Sequence, residues 1–170
     1  MTKKNRKMLI KEQLMGAKDP IKASDFAEQF DVSRQTIVGD IALLRAQGEQ
    51  IISTSRGYEY EQVRDFEEIV VCRHFPDQAE QEMNLIVAEG VSIKDVTIDH
   101  PLYGQLSGQM RINNRHDVRQ FIQHMRESKG HLLSELTGGI HSHTLSADSQ
   151  AELKRAKKQL EISGILYHEV

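Results

Sequence analysis

The chain of 170 residues has a single cysteine, Cys72, so it can form no internal disulfide and is not a disulfide-stapled scaffold. It also lacks any apolar run near the ~18 residues a membrane-spanning helix needs, and its mean hydropathy is negative. The basic start, Met1–Lys7, is followed by no apolar secretory stretch, which predicts a cytoplasmic protein with no membrane partner. There is no internal repeat, no low-complexity tract and no Pro/Gly/Ser-rich linker, so any join between modules is short. A G-x-S-x-G elbow, a P-loop and a dinucleotide fingerprint are all missing. An excess of positive charge is missing too: the formal net charge of −3 argues against a protein coated in basic residues.

The charge is unevenly spread. Residues 1–60 carry ten Lys and Arg against eight Asp and Glu, whereas residues 61–170 carry twelve against seventeen. The first five charges, Lys3, Lys4, Arg6, Lys7 and Lys11, are all positive. A basic front and an acidic rear predict two modules with different partners, residues 1–62 and 63–170.

In the front module, Ile10, Leu14 and Ala17 form one helical stripe that ends at Pro20. Ser24 is the expected cap of a short second helix with Phe26, Ala27 and Phe30 on one face, and Ser33 of a third that buries Ile37, Ile41 and Leu44 before Gly48 stops it. Two short helices joined by a tight turn have the spacing of a helix-turn-helix. Arg34, Gln35 and Thr36 stand in the first turn of the third helix, where a recognition helix meets base edges: Arg suits guanine and Gln suits adenine. Gly39, one turn on, costs about 1 kcal/mol of helix propensity, as expected if a larger side chain would crowd DNA. Ile51–Tyr60 has the form of a hairpin with Ser55-Arg56-Gly57 as its turn, placing Arg56 to reach phosphate or the minor groove. The expectation is a winged helix-turn-helix that contacts phosphate through Lys3, Lys4, Arg6 and Arg56. Asp31, Asp40 and Glu49 would weaken it, so tight binding of double-stranded DNA calls for a homodimer.

In the rear module, strands and helices alternate. Ile69–His74 is a β-branched run, and Pro76-Asp77 opens a helix with an Asp77/Glu80 capping pair and Ala79, Met83, Ile86 and Val87 on its buried side. Val91–His100 and Gly104–Ile112 read as strands, and Asn114 caps a helix with Val118, Phe121, Ile122 and Met125 inward. Ile140–Leu145 follows as a strand, Ser149-x-x-Glu152 starts a last helix with Leu153, Ala156 and Leu160 inward, and Ile165–His168 is a candidate final strand. Strand-helix-strand-strand-helix-strand is the split βαβ order, so the fold class is α+β: a winged helix-turn-helix followed by an α+β sandwich.

Four positions carry the chemistry of this module. A strand points His141 and His143 to one face, because its side chains alternate with period two. His74 ends another strand. Glu82 stands three residues after Ala79 and four before Ile86, so it faces inward, where a carboxylate needs a partner. Three imidazoles and one carboxylate suit zinc, nickel, cobalt or ferrous iron, with room for a ligand at an open coordination position. The plainer alternative is two polar residues on a solvent-facing strand and a solvated Glu82. His100, before Pro101 at a strand end, is a candidate ligand-binding residue, and Cys72 reads as core.

The front resembles the winged-helix segment of bacterial repressors through Ser33-Arg-Gln-Thr-Ile-Val-Gly-Asp-Ile-Ala-Leu-Leu-Arg45 and the Ile51…Tyr58 wing. The rear is similar to the 3H domain through His100-Pro-Leu-Tyr-Gly104, the strand ending in His74, and Leu132-Leu-Ser-Glu-Leu-Thr-Gly-Gly-Ile-His141-Ser-His143-Thr-Leu145. Together they resemble the niacin-responsive repressors of NAD biosynthesis and niacin uptake genes. That resemblance implies nicotinic acid as effector, a repressing dimer, and a divalent metal on His74, Glu82, His141 and His143. Two other readings compete. In a metal-sensing repressor the ion itself would be the signal. A metal-dependent hydrolase would need more ligands and a barrel far longer than about 110 residues, so no enzymatic role is expected.

Overall fold

The computed structural model describes residues 3–61 and 64–168, and none of its helices is long and apolar enough to cross a membrane. The chain divides into two compact units, residues 1–63 and 64–170. The expected boundary between residues 62 and 63 lies outside the described residues.

The first unit comprises α1 (Lys3–Gly16), α2 (Ala23–Phe30), α3 (Arg34–Ala46) and an antiparallel wing of β1 (Ile51–Thr54) and β2 (Gly57–Tyr60). Ile10 and Leu14, Phe26, and Ile37, Ile41 and Leu44 meet in its core, together with Ile51 of the wing. Ala17 lies beyond the end of α1 and is exposed. The turn between α2 and α3 passes through Asp31 in the left-handed region, at φ 50°. Ser33 caps α3, its hydroxyl accepting the Thr36 N–H at 3.0 Å. Ser24, by contrast, does not cap α2: Lys22 holds the capping position with no side-chain bond, and the Ser24 hydroxyl turns to Asp25. The cause is tertiary. Ile21 pairs with Tyr58 of the wing through two backbone hydrogen bonds of 2.9 and 2.8 Å, and this extended chain runs straight into a helix that starts at Ala23. Gly57 allows the contact, since a Cβ there would stand 2.5 Å from the Ile21 carbonyl.

The second unit runs β3 (Phe66–Arg73), a 3₁₀ turn (Pro76–Gln78), α4 (Ala79–Ala88), β4 (Ser92–His100), β5 (Gly104–Ile112), α5 (Arg115–Glu127), a second 3₁₀ turn (Leu133–Thr137), β6 (Ile140–Ala147) and α6 (Gln150–Ile162). Its sheet is antiparallel throughout, in the order β3-β6-β4-β5. The expected α+β order is therefore present, and both βαβ units are split: β6 separates β3 from β4, and β4 separates β5 from β6. Val70, Cys72, Ile93, Ile112 and Leu145 of the sheet pack against the three helices through residues such as Met83, Ile122 and Leu160.

Two local expectations change. The Asp77/Glu80 pair does not cap α4, because Pro76 starts a 3₁₀ turn and α4 begins only at Ala79, with no side-chain cap. The segment after α6 is a bridge rather than a strand: Leu166 pairs with Cys72, while Ile165 and Tyr167 bond the backbone of Arg73 and Val71. Asn114 and Ser149 cap their helices as expected.

Candidate functional site

Strand alternation turns His141, His143 and Leu145 of β6 inward. The register sets His141 opposite Cys72 and His143 opposite Val70 on β3, and His74 follows just beyond the end of that strand. Glu82 comes from the first turn of α4. All four of His74, Glu82, His141 and His143 are at most 4% exposed.

Glu82 is the hub. Its Oε2 lies 2.6 Å from His74 Nε2 and 3.3 Å from His143 Nε2, and its Oε1 lies 3.2 Å from His141 Nε2. Each ring is held from behind by a main-chain carbonyl: His74 Nδ1 lies 2.8 Å from the oxygen of Phe75, His141 Nδ1 2.9 Å from that of Gly139, and His143 Nδ1 2.7 Å from that of Asp95. A carbonyl only accepts, so every Nδ1 carries its proton. Each Nε2 of a neutral ring then presents a lone pair to a carboxylate, which also only accepts. Five acceptor atoms without a donor among them repel unless a cation joins them. Carbonyls bonded to the far nitrogen of each ring are the usual outer support of metal-bound histidine. His143 Nε2 is a buried nitrogen without a hydrogen-bond partner, which is the mark of such an arrangement.

Without an ion, protons take that part. Burial opposes charge on His74 and on His143, but Glu82 more than offsets it, through its hydrogen bond and charge at His74 and through its charge at His143, and raises both imidazoles above their ordinary value. Burial likewise opposes ionisation of Glu82, yet the charge of His143 and the hydrogen bonds of His141 and His74 hold it well below the usual carboxylate range. Cys72 adds a further donor, with its sulfur, a Glu82 oxygen and a His141 nitrogen all within 4.8 Å of one another. Burial, then the charge of Glu82, pushes its thiol far up, so it stands there protonated. Its proximity to the site follows from the β3–β6 register, which no sequence motif displays.

The glycines before β6 have a structural task. Gly139 has φ 91°, and a Cβ on it would stand 2.5 Å from the carbonyl oxygen of His74. The His74 N–H in turn donates to the Gly139 carbonyl at 3.3 Å. This backbone contact brings His74 to the histidine pair, and it requires glycine on steric grounds.

Beside the site lies a cavity with about 40 Å³ of room for the centre of a water-sized sphere. Met83, Val96, Met110, Phe121, Leu132 and Leu133 give it apolar walls, the four clustered residues form its polar end, and Ser134 also lines it. No Lys or Arg is among the described lining residues. His100 does not line this cavity. It ends β4, its Nδ1 accepts the N–H groups of Leu102 and Tyr103 at 3.2 Å each, and its ring stacks on Tyr103.

Comparison with known proteins agrees with both halves. Residues 67–169 match the 3H domain family, and residues 6–59 match an HTH domain family. The chain belongs to the 3H domain family. It is 40% identical over 167 residues to a Bacillus subtilis protein named Transcription repressor NadR, covering 95% of this chain and 93% of that one. It is 34% identical over 154 residues to a Thermotoga maritima protein named Probable transcription repressor NiaR, covering 90% and 88%. This 3H protein is thus a transcription repressor of the NadR/NiaR type with a DNA-binding helix-turn-helix.

The expected reader residues lie on α3. Arg34, Gln35 and Gly39 are exposed, and Thr36 is half-buried because its hydroxyl meets that of Ser33 at 2.8 Å. A Cβ at Gly39 would meet nothing of the protein within 4 Å, so no internal contact demands glycine there. In the wing turn, Thr54 Oγ1 accepts the N–H of Arg56 at 3.1 Å. Three charges have other roles than expected. Arg6 is buried, and its Nε bonds Asp40 at 2.5 Å, so Arg6 is no phosphate contact and Asp40 no repulsive surface charge. Glu49 is engaged by Lys11 at 2.5 Å and by the Tyr60 hydroxyl at 2.8 Å. Sequence reasoning also missed Arg45, which bonds the Ile51 carbonyl at 2.6 Å and the Ser53 hydroxyl at 2.8 Å and so ties the end of α3 to the wing.

Proposed function

We propose that this repressor is gated by nicotinic acid: the acid enters the cavity of the 3H unit beside a divalent metal held by His74, Glu82, His141 and His143, and the liganded homodimer holds operator DNA at NAD biosynthesis and niacin uptake genes. The observation that carries the reading is three imidazole Nε2 atoms meeting one buried carboxylate, with no donor among them, at the end of a small apolar cavity. The donor set of three nitrogens and one oxygen suits zinc, nickel or ferrous iron. A bound divalent ion supplies the positive charge that an aromatic carboxylate needs in a lining without Lys or Arg. The chain's own side chains do the rest: the apolar walls exclude water, and the three carbonyls fix the rings. The room available is far too small for a dinucleotide, which would call for a pocket of several hundred Å³. Binding, not catalysis, is the role this favours, in the cytoplasm.

On the DNA side, Arg34, Gln35 and Thr36 meet base edges, Gly39 admits the duplex and Arg56 meets phosphate. A homodimer sets its two α3 helices one DNA turn (~34 Å) apart or a multiple of it, and the effector stabilises that arrangement. His100 does not line the cavity and its ring is held by its own turn, so this reading gives it no contact with the bound effector.

A second reading has an observation of its own: the four donors complete one another without the cavity, so the ion alone can be the signal. Titrating operator binding separately against metal and against nicotinate decides between them. Nicotinate is expected to tighten operator binding of the metal-saturated protein by about tenfold or more. The variant His141→Ala/His143→Ala should fold, as judged by circular dichroism, and show no nicotinate response. A full response to metal alone would favour metal sensing, and an unchanged nicotinate response in the variant would refute the metal-linked mechanism.

A further inference from the structure

We infer that the Ser134 hydroxyl reads the ring nitrogen of the effector, while the effector's carboxylate is held at the histidine–glutamate end of the cavity. The inference rests on the nicotinate reading above and assigns each end of that molecule a place.

Charge decides the carboxylate. The described lining holds one acid, Glu82, and no Lys or Arg, so a buried carboxylate has a single favourable location, next to the cation that Glu82 and the histidines would hold. One neutral hydroxyl cannot offset a buried negative charge, but it matches a neutral pyridine nitrogen, which needs one donor and no counter-charge.

Ser134 is built to be that donor. It is the only hydroxyl-bearing residue in the described lining, and it is 3% exposed. Its carbonyl is held twice, by the Gly139 N–H at 2.8 Å and by the Thr137 hydroxyl at 3.3 Å. The turn that carries it is closed by Glu135, whose carboxylate accepts the Leu132 N–H at 2.6 Å. The main chain of Ser134 is therefore fixed, while its hydroxyl has no hydrogen-bond partner among the described residues. A hydroxyl left unused by a buried residue on a pinned turn, at the wall of a ligand cavity, is a preorganised donor for what enters.

The test compares nicotinate with benzoate, which has the same shape and charge but no ring nitrogen, and with nicotinamide, which has no carboxylate. Each is titrated calorimetrically into the full-length, zinc-saturated protein, wild type and Ser134→Ala, with zinc content and melting temperature measured alongside. Wild type is expected to prefer nicotinate to benzoate by about tenfold, the worth of one hydrogen bond, and to bind nicotinamide weakly. Ser134→Ala should bind nicotinate and benzoate alike, near the wild-type benzoate affinity, with zinc content unchanged. A preference for nicotinate that survives in Ser134→Ala overturns the inference, as does wild type binding benzoate as tightly as nicotinate. Nicotinamide binding as tightly as nicotinate overturns the placement of the carboxylate. Wild type that binds nicotinate at no concentration overturns the effector reading beneath it, and is told apart from the other outcomes by the wild-type titration alone.

Discussion

The imidazoles that hold an ion can hold protons instead, and the two states answer pH in opposite ways. In protein stripped of metal, His74 and His143 have folded values above the ordinary imidazole value because of Glu82. Their stabilisation is complete below the unfolded value of about 6.5 and is lost as pH rises through the higher folded values. Glu82, depressed in the folded state, contributes in the opposite sense: its share is present above the unfolded carboxylate value of about 4.3 and is lost as pH falls through the folded value. Metal reverses the histidine dependence, since an ion needs Nε2 deprotonated and its affinity rises with pH. Melting curves of chelator-treated protein should therefore show stability falling from about pH 6 to about pH 8, and curves of zinc-saturated protein should hold level or rise over the same range. Parallel curves would show that these residues do not share one ion. At this scale the sequence was informative where a period applied: two histidines two apart on a strand share a face, and a glutamate in register with Ala79 and Ile86 points inward. It was silent where contact is between distant backbones, as at Gly139 against His74.

Between elements, the buried pair Arg6–Asp40 joins α1 to α3, with both side chains 7% exposed. Removing one partner leaves a buried charge alone, which costs about 3–5 kcal/mol, whereas replacing both by apolar residues of similar size is close to neutral. Urea denaturation should accordingly show Arg6→Met and Asp40→Leu each strongly destabilised in the first unit and the double variant largely restored. The double variant should also keep the wild-type salt slope of operator binding, because Arg6 touches Asp40 and not phosphate. Equal destabilisation of single and double variants would remove the pair from this role. Sequence spacing alone made Arg6 one more cation in a basic helix start, though it lies four residues before Ile10 on the stripe that becomes buried. The elements themselves were legible wherever a hydrophobic period and a cap agreed, as at Ser33, Asn114 and Ser149. They were misjudged where tertiary pairing or a 3₁₀ turn moved a helix start, as at Ser24 and Asp77. Strand order was beyond reach, because hydrophobic alternation identifies a strand's faces but not its neighbours, and β6 sits between two strands that precede it.

In the whole molecule, the proposed gating makes binding at the basic reader depend on binding at the acidic sensor, and thermodynamics constrains how. If nicotinate tightens operator binding by some factor, the operator must tighten nicotinate binding by the same factor, whatever structural path joins the units. Salt separates that coupling from raw affinity. Operator affinity should fall steeply with salt, as release of counterions from phosphate requires, while the buried site at Glu82 is poorly screened and should change little. The decisive measurement is a nicotinate titration of zinc-saturated protein with and without a saturating operator duplex, at two salt concentrations, beside the operator titrations with and without nicotinate. The two coupling factors are expected to agree at each salt, typically within the range of about five- to 150-fold, even as the operator affinity itself drops. If the duplex leaves nicotinate affinity unchanged while nicotinate alters operator binding, the two titrations do not report one equilibrium, and the nicotinate response belongs to a different oligomer from the one that binds the acid.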